Sequence, residues 1–177
     1  MNAIVDRSAP QMEDIRFAFG TCSLGIVLVA VSTRGVVAIL LDDDRDALRR
    51  ALANAFPRAR LAAAETALRG TVATVVTFLD APHGRLDLPL DIRGSALEQS
   101  VWQALRDVPV GRTTTYGQVA RALPLAATAQ DVGAACAANV LAVAIPCHRV
   151  IKADGSIAGY RWGVQRKRKL TNRERAA

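Results

Sequence analysis

The sequence is poor in the residues that build metal centres and disulfide frameworks. It has three cysteines, Cys22, Cys136 and Cys147, and two histidines, His83 and His148. An odd cysteine count without Cys-x-x-Cys spacing argues against a disulfide scaffold and a zinc clamp. No apolar run approaches the roughly 20 residues that span a bilayer. The N-terminus lacks the charged-then-apolar pattern of a secretion signal, because Asp6, Arg7 and Glu13 interrupt it. A soluble, reduced, cytoplasmic chain is expected, with no metal and no cofactor.

Hydrophobic residues make up 51% of the 177 residues, enough for a proper core in one large or two small domains. The charge is unevenly spread. Residues 1–93 carry 11 Lys+Arg against 11 Asp+Glu, whereas residues 94–177 carry 12 against 5. The whole net charge of +7 therefore belongs to the second half. Such a half suits a polyanion such as nucleic acid, or simply a well-solvated surface.

Residues 1–14 read as a loose leader, and 15–93 as an α/β scaffold. Arg16 to Phe19 reads as a strand leading into a Gly20-Thr21 turn. Leu24 to Val31 and Gly35 to Leu41 are β-rich runs joined by a hairpin loop at Ser32–Gly35. Asp42-Asp43-Asp44 resembles a hard-cation cluster, but it also precedes a helix over Asp44–Phe56 and suits that helix's N-terminal dipole. Pro57 stops the helix. Ala62 to Leu79 reads as a second helix, with Leu68, Val72, Val75, Val76 and Leu79 on one face. His83 falls in a loop, and Leu86 to Ile92 is a strand or an extended linker.

From Gly94 the pattern turns helical. Ser95-Ala-Leu-Glu98 and Thr115-Tyr-Gly-Gln118 are capping boxes, and Thr128-Ala-Gln-Asp131 is a third helix start. The first of these helices places Leu97, Val101, Leu105 and Val108 on one stripe, with Trp102 beside it. The second and third are short and separated by Pro124, a helix-turn-helix arrangement. The third presents Gly133, Ala134, Ala135, Ala137 and Ala138. It lacks the long polar side chains that read base edges. Such a face suits close approach to a minor groove, or tight packing inside the protein.

Leu141 to Ile145 is an unbroken apolar run, ended by Pro146. Cys147 and His148 follow at once, placing a thiol and an imidazole at the mouth of a buried segment. A buried cysteine next to a surface histidine is the plainer reading of that pair. Beyond it come a turn at Asp154-Gly155-Ser156, a glycine-flanked aromatic loop at Gly159–Gly163 and a very basic helix over Val164–Arg175.

Five ordered blocks decide between these readings. They are Pro89-Leu-Asp-Ile-Arg-Gly94, Val101-Trp-Gln-Ala-Leu-Arg106, Ala134-Ala-Cys-Ala-Ala-Asn139, Ile145-Pro-Cys-His-Arg-Val150 and Gly159-Tyr-Arg-Trp-Gly-Val164. Together they resemble the O6-alkylguanine-DNA alkyltransferases, most strongly over 89–175 and most closely the C-terminal domain of the bacterial adaptive-response members. The resemblance implies an α/β (α+β) fold. Its N-terminal part would be a ribonuclease-H-like small antiparallel sheet with helices. A mostly helical winged-helix or helix-turn-helix domain over 94–177 would follow. The implied activity is single-turnover DNA repair, in which Cys147 takes the alkyl group of O6-alkylguanine after the base is flipped out, with O4-alkylthymine as a second candidate substrate.

Roles follow by the same resemblance. His148 relays the thiol proton through water, and Glu174 orients His148. Tyr116 hydrogen-bonds the base and turns its phosphate outward. Asn139 ties the helix-turn-helix to the active-site segment. Val150, Tyr160, Arg161 and Trp162 form the substrate pocket. Tyr116, Gln130, Gly133, Ala134 and Ala137 meet double-stranded DNA through its minor groove, with little sequence specificity. A monomer associated with the bacterial nucleoid is implied.

One position departs from the pattern. Gln130 stands where the family commonly has an intercalating arginine, and Asp131 beside it adds negative charge. The zinc-cysteine sensor of the adaptive-response members is not expected, because residues 1–14 contain no cysteine. Two other functions compete: a non-catalytic binder of alkylated DNA that recruits repair factors, whose family relatives lack the cysteine, and a Cys-His hydrolase, for which no oxyanion-hole motif is evident.

Overall fold

The structure, a computed structural model, describes residues 12–177; most of the expected leader lies outside them. Strand β1 runs over Glu13–Cys22, β2 over Gly25–Val31 and β3 over Val36–Asp42. These three pair antiparallel in the order β3-β2-β1. The turn between β1 and β2 falls at Ser23-Leu24 rather than at Gly20-Thr21. Gly20 serves close packing instead, since a Cβ there would lie 2.6 Å from Val72 Cγ1. It is the point where a helix comes down onto the strand.

Helix α1 (Arg45–Ala55) starts as its sequence predicts, with the Asp44 side chain accepting from Asp46 N. The aspartate cluster is thus cap and turn. Asp42 accepts from the amides of Asp43 and Asp44. No group of acidic, histidine or cysteine side chains among the described residues is arranged to hold a metal ion.

The expected helix from Ala62 begins seven residues later. Ala59–Ala63 is instead strand β4, paired parallel to β1. The antiparallel sheet therefore gains a fourth, parallel strand. Helix propensity of the alanines loses to pairing with an open sheet edge. Helix α2 (Arg69–Asp80) buries Val72, Val75, Phe78 and Leu79. Successive strand residues point to opposite faces. Phe19 lies under the guanidinium groups of Arg45 and Arg49 of α1, whereas Gly20 meets α2. The two helices therefore cover opposite faces of the sheet.

The second half is helical. Helices α3 (Ala96–Arg106), α4 (Tyr116–Ala122) and α5 (Ala129–Ala138) each begin at a complete capping box, on Ser95, Thr115 and Thr128. The Asp131 carboxylate is consumed by the Thr128 box, accepting from that residue's N and Oγ1. A short 3-10 turn spans Cys147–Arg149, and helix α6 spans Val164–Arg175. Two residues of β5 (Thr114–Thr115) pair parallel with two of β6 (Val150–Ile151), tying the start of α4 to the segment after Cys147.

The halves share one hydrophobic core. β3 is hydrogen-bonded to the apolar run before the cysteine: Ile39 N donates to Val140 O at 2.8 Å, and Ala142 N donates to Ile39 O at 3.0 Å. The sheet thus sets the height of that run. No described helix is long and apolar enough to cross a membrane.

Candidate active site

The run Leu141–Ile145 turns back on itself, with Ile145 N donating to Leu141 O at 3.0 Å. Val143 is held at φ 59°, a left-handed conformation rare for a β-branched residue. This tight turn delivers Pro146 and then Cys147 to the floor of a cavity of about 390 Å³, within the range of small-ligand sites. Tyr116, Gly133, Cys136, Ala137, Tyr160 and Arg161 complete most of its wall. A larger cavity among the described residues, about 970 Å³, lies beyond Asn139 and is lined by none of Cys147, His148 or Glu174. Chemistry rather than size therefore picks the site.

Asn139 caps the C-terminus of α5 and is fully buried. Its Oδ1 accepts from Leu141 N at 2.8 Å, while its Nδ2 donates to Ile145 O at 3.1 Å and to Cys147 Sγ at 3.3 Å. One side chain thus fastens the helix-turn-helix, the tight run and the thiol together. Burial pushes the Cys147 thiol well above its ordinary range, and only Asn139 and the Lys167 charge oppose this. In the free protein Cys147 is a protonated, shielded thiol.

His148 is buried, unlike the surface histidine of the plainer reading. Its Nε2 lies 2.7 Å from Glu174 Oε1. Arg149 holds the same carboxylate in a fork, Nε to Oε2 and Nη2 to Oε1, both at 2.9 Å. Its Nη1 also donates to Val108 O at 2.6 Å. Burial raises the Glu174 carboxyl, but the hydrogen bonds from His148 and Arg149 outweigh it and bring it to about 2. Burial lowers His148 more than Glu174 raises it, so the imidazole is neutral near pH 7. An ionised carboxylate only accepts, so Nε2 carries the hydrogen and Nδ1 is left as a base. That Nδ1 is buried and has no hydrogen-bond partner among the described residues.

Tyr116 is half-buried at the start of α4, and burial raises its phenol to about 12, which keeps it a donor. Lys167, on α6, is 1% exposed beneath this ring, with Nζ 5.9 Å from the ring centroid and 3.4 Å from Gly159 O. Tyr160 packs edge-on against Trp162 with centroids 5.2 Å apart, and its hydroxyl is buried at the cavity wall. Arg161 Nη1 donates to Ala137 O at 2.6 Å, closing the loop onto α5.

Two expected pocket residues stand elsewhere. Val150 is fully buried in β6, and Trp162 faces a separate cleft with Leu41 and Arg166. Strand pairing takes Val150 away, and packing against Tyr160 takes Trp162. On α5, Val132 and Ala135 face inward, and Trp102 Nε1 donates to Ala135 O at 2.9 Å. Gln130, Ala134 and Ala137 are exposed, and nothing lies within 4 Å of where a Gly133 Cβ would be. The small-residue face is therefore open. Arg149, Lys167 and Cys136 join the site without having been singled out by the sequence. Arg149 stood inside the Ile145–Val150 block, and Cys136 inside Ala134–Asn139; nothing in its basic helix marked Lys167.

Residues 96–176 match the family described as 6-O-methylguanine DNA methyltransferase, DNA binding domain. The chain is 48% identical over 160 residues to the bifunctional transcriptional activator/DNA repair enzyme Ada of Escherichia coli, covering 90% of this chain and 45% of that one. It thus spans about half the length of that relative. It is 32% identical to the inducible methylated-DNA–protein-cysteine methyltransferase of Bacillus subtilis, over 69% of this chain and 68% of the relative. The crystal structure of Mycobacterium tuberculosis OGT in complex with DNA superposes with a TM-score of 0.75 at 28% identity, covering 92% of this chain and 93% of that one. Sequence and fold therefore agree. The chain belongs to the O6-alkylguanine-DNA alkyltransferases, the methylated-DNA–protein-cysteine methyltransferases.

Proposed function

We propose that this protein repairs DNA by moving the alkyl group of O6-alkylguanine irreversibly onto Cys147, once per molecule. The observation that carries the proposal is the Cys147 thiol at a cavity floor, fixed by Asn139, next to a neutral His148 whose basic Nδ1 is buried and unpaired.

The steps follow from the groups present. The Cys147 proton passes through a water to His148 Nδ1, and Glu174 stabilises the imidazolium that forms. The thiolate attacks the alkyl carbon in line. An S–C bond forms as the C–O6 bond breaks, and the charge left on guanine is met by the Tyr116 hydroxyl and by backbone amides. Tyr160 lines the alkyl side of the cavity. Because Cys147 is a buried thiol until the base arrives, it is spared from other electrophiles. The product is a thioether, so there is no second turnover. O4-alkylthymine is a further candidate substrate.

Double-stranded DNA is the partner that fits. The open face of Gln130, Gly133, Ala134 and Ala137 has no long side chain to keep a backbone away, which suits the minor groove and little sequence specificity. Tyr116 turns the phosphate, and Gln130 fills the space left by the flipped base. The DNA-bound relative supports this partner. We read the protein as a monomer acting on cytoplasmic, nucleoid DNA. Its organisation would be the scaffold of 15–93, with β1 extending it to Glu13, and the reactive domain of 94–177. A binder without chemistry fits less well, because Cys147 and its proton acceptor are both in place. The test is the fate of the methyl group: incubation with O6-methylguanine duplex should leave it on the Cys147 peptide, whereas binding without mass gain would favour the binder.

A further inference from the structure

Cys136 and Cys147 line the same cavity, and the transfer reaction uses only one of them. Cys136 sits in the last turn of α5. Asn139, one turn further on, donates to the Cys147 sulfur at 3.3 Å, so the end of α5 is held against that sulfur. Both are free thiols, and Cys136 is the more exposed of the two. Cys22, the remaining cysteine, lies at the far end of β1.

We propose that Cys136 is a peroxide-reactive thiol that closes a reversible disulfide with Cys147 when the protein meets a hydroperoxide, masking the acceptor sulfur. The Cys136 sulfur attacks the peroxide, the O–O bond breaks, and Cys136 becomes a sulfenic acid as water or an alcohol leaves. The Cys147 sulfur then attacks Cys136, the S–O bond breaks, and a second water leaves. Two thiols are oxidised by two electrons and one hydroperoxide is reduced. A dithiol reductant returns both thiols.

The order of events follows from the thiol pair. Cys136 is partly exposed, whereas Cys147 is buried, and burial raises its thiol. The nearby Lys167 charge favours both thiolates. Cys136 is thus the sulfur that a peroxide meets first. The chemistry stands without the alkyl-transfer reading; only its consequence for repair rests on Cys147 being the acceptor.

The test uses the full chain treated with hydrogen peroxide, then denatured, labelled with iodoacetamide and digested with trypsin. No Lys or Arg lies between Arg121 and Arg149, so both cysteines fall in one peptide. The expected peptide is about 2 mass units light and unlabelled, and dithiothreitol before labelling restores two labels. Cys136→Ser should abolish the light peptide and leave Cys147 unoxidised, so that it takes its label once the protein is denatured. A wild-type peptide that still takes two labels, or carries only added oxygen, overturns the proposal, even if Cys136→Ser does not fold. Acceptor activity is measured separately on unoxidised protein, so a failure there removes the alkyl-transfer reading and leaves the disulfide standing.

Discussion

His148 Nε2 donates to Glu174 Oε1 across 2.7 Å, with both side chains closed off from solvent. This contact sets the tautomer that leaves Nδ1 free to take a proton. Glu174 also neutralises buried Arg149. Replacing Glu174 with Gln should therefore have two effects. Transfer to Cys147 should slow by about 100-fold or more, because the imidazolium loses its counter-charge. Stability in urea should fall by about 3–5 kcal/mol, because Arg149 is left as an unpaired buried charge. A wild-type transfer rate in Glu174→Gln would remove the glutamate from the proton path.

Acid should destabilise the protein in two stages. The folded pKa of His148 is below its ordinary 6.5, so the unfolded chain binds that proton more readily and stability begins to fall below pH 6.5. Glu174 is lowered from 4.5 to about 2. Its contribution is complete above 4.5 and is lost as pH falls toward 2, a loss of about 3 kcal/mol. Urea midpoints measured from pH 7 to pH 3 should decline throughout, and His148→Asn should remove the earlier stage. A flat profile between pH 6.5 and pH 5 would contradict the neutral buried imidazole.

Asn139 separates folding from reactivity. Asn139→Ala loses the bonds to Leu141 N, Ile145 O and Cys147 Sγ, at a cost of about 2–4 kcal/mol. Asn139→Asp keeps an oxygen for Leu141 N but cannot donate to the sulfur and brings a charge toward it. Its transfer rate should fall further than its stability. Equal losses in the two variants would make Asn139 purely structural.

Gln130 is an exposed residue in the first turn of α5. Gln130→Arg adds a cation at the position expected to replace the flipped base. Repair of duplex DNA should quicken, and the dependence of binding on salt should steepen by about one counterion. Transfer from a free O6-alkylguanine base should not change. An unchanged duplex rate would show that the arginine is dispensable here.

The capping boxes at Ser95, Thr115 and Thr128 were legible because each is a local, reciprocal pattern. So was the block from Ile145 to Val150. Ala59–Ala63 was not, since its alanines favour helix and only the open edge of β1 makes them a strand. The Ser23-Leu24 turn was obscured by Gly20, a glycine needed for close packing and not for reversal. Lys167 sits among Arg166, Arg168 and Lys169 with no periodic signal, and its burial under Tyr116 comes from partners distant in the chain. Arg149 looked like part of a motif rather than the clamp on Glu174, because that acid follows 25 residues later. Val150 and Trp162 enter the pocket only through the resemblance; Val150 is buried in β6, and Trp162 packs on Tyr160 and faces another cleft.

The most direct measurement is the mass of the intact protein after mixing with an equimolar duplex carrying one O6-methylguanine. One added methyl group per molecule is expected, located on Cys147, with no further repair when fresh substrate is added. DNA binding without a gain in mass, a methyl group on another residue, or repeated turnover would each contradict it.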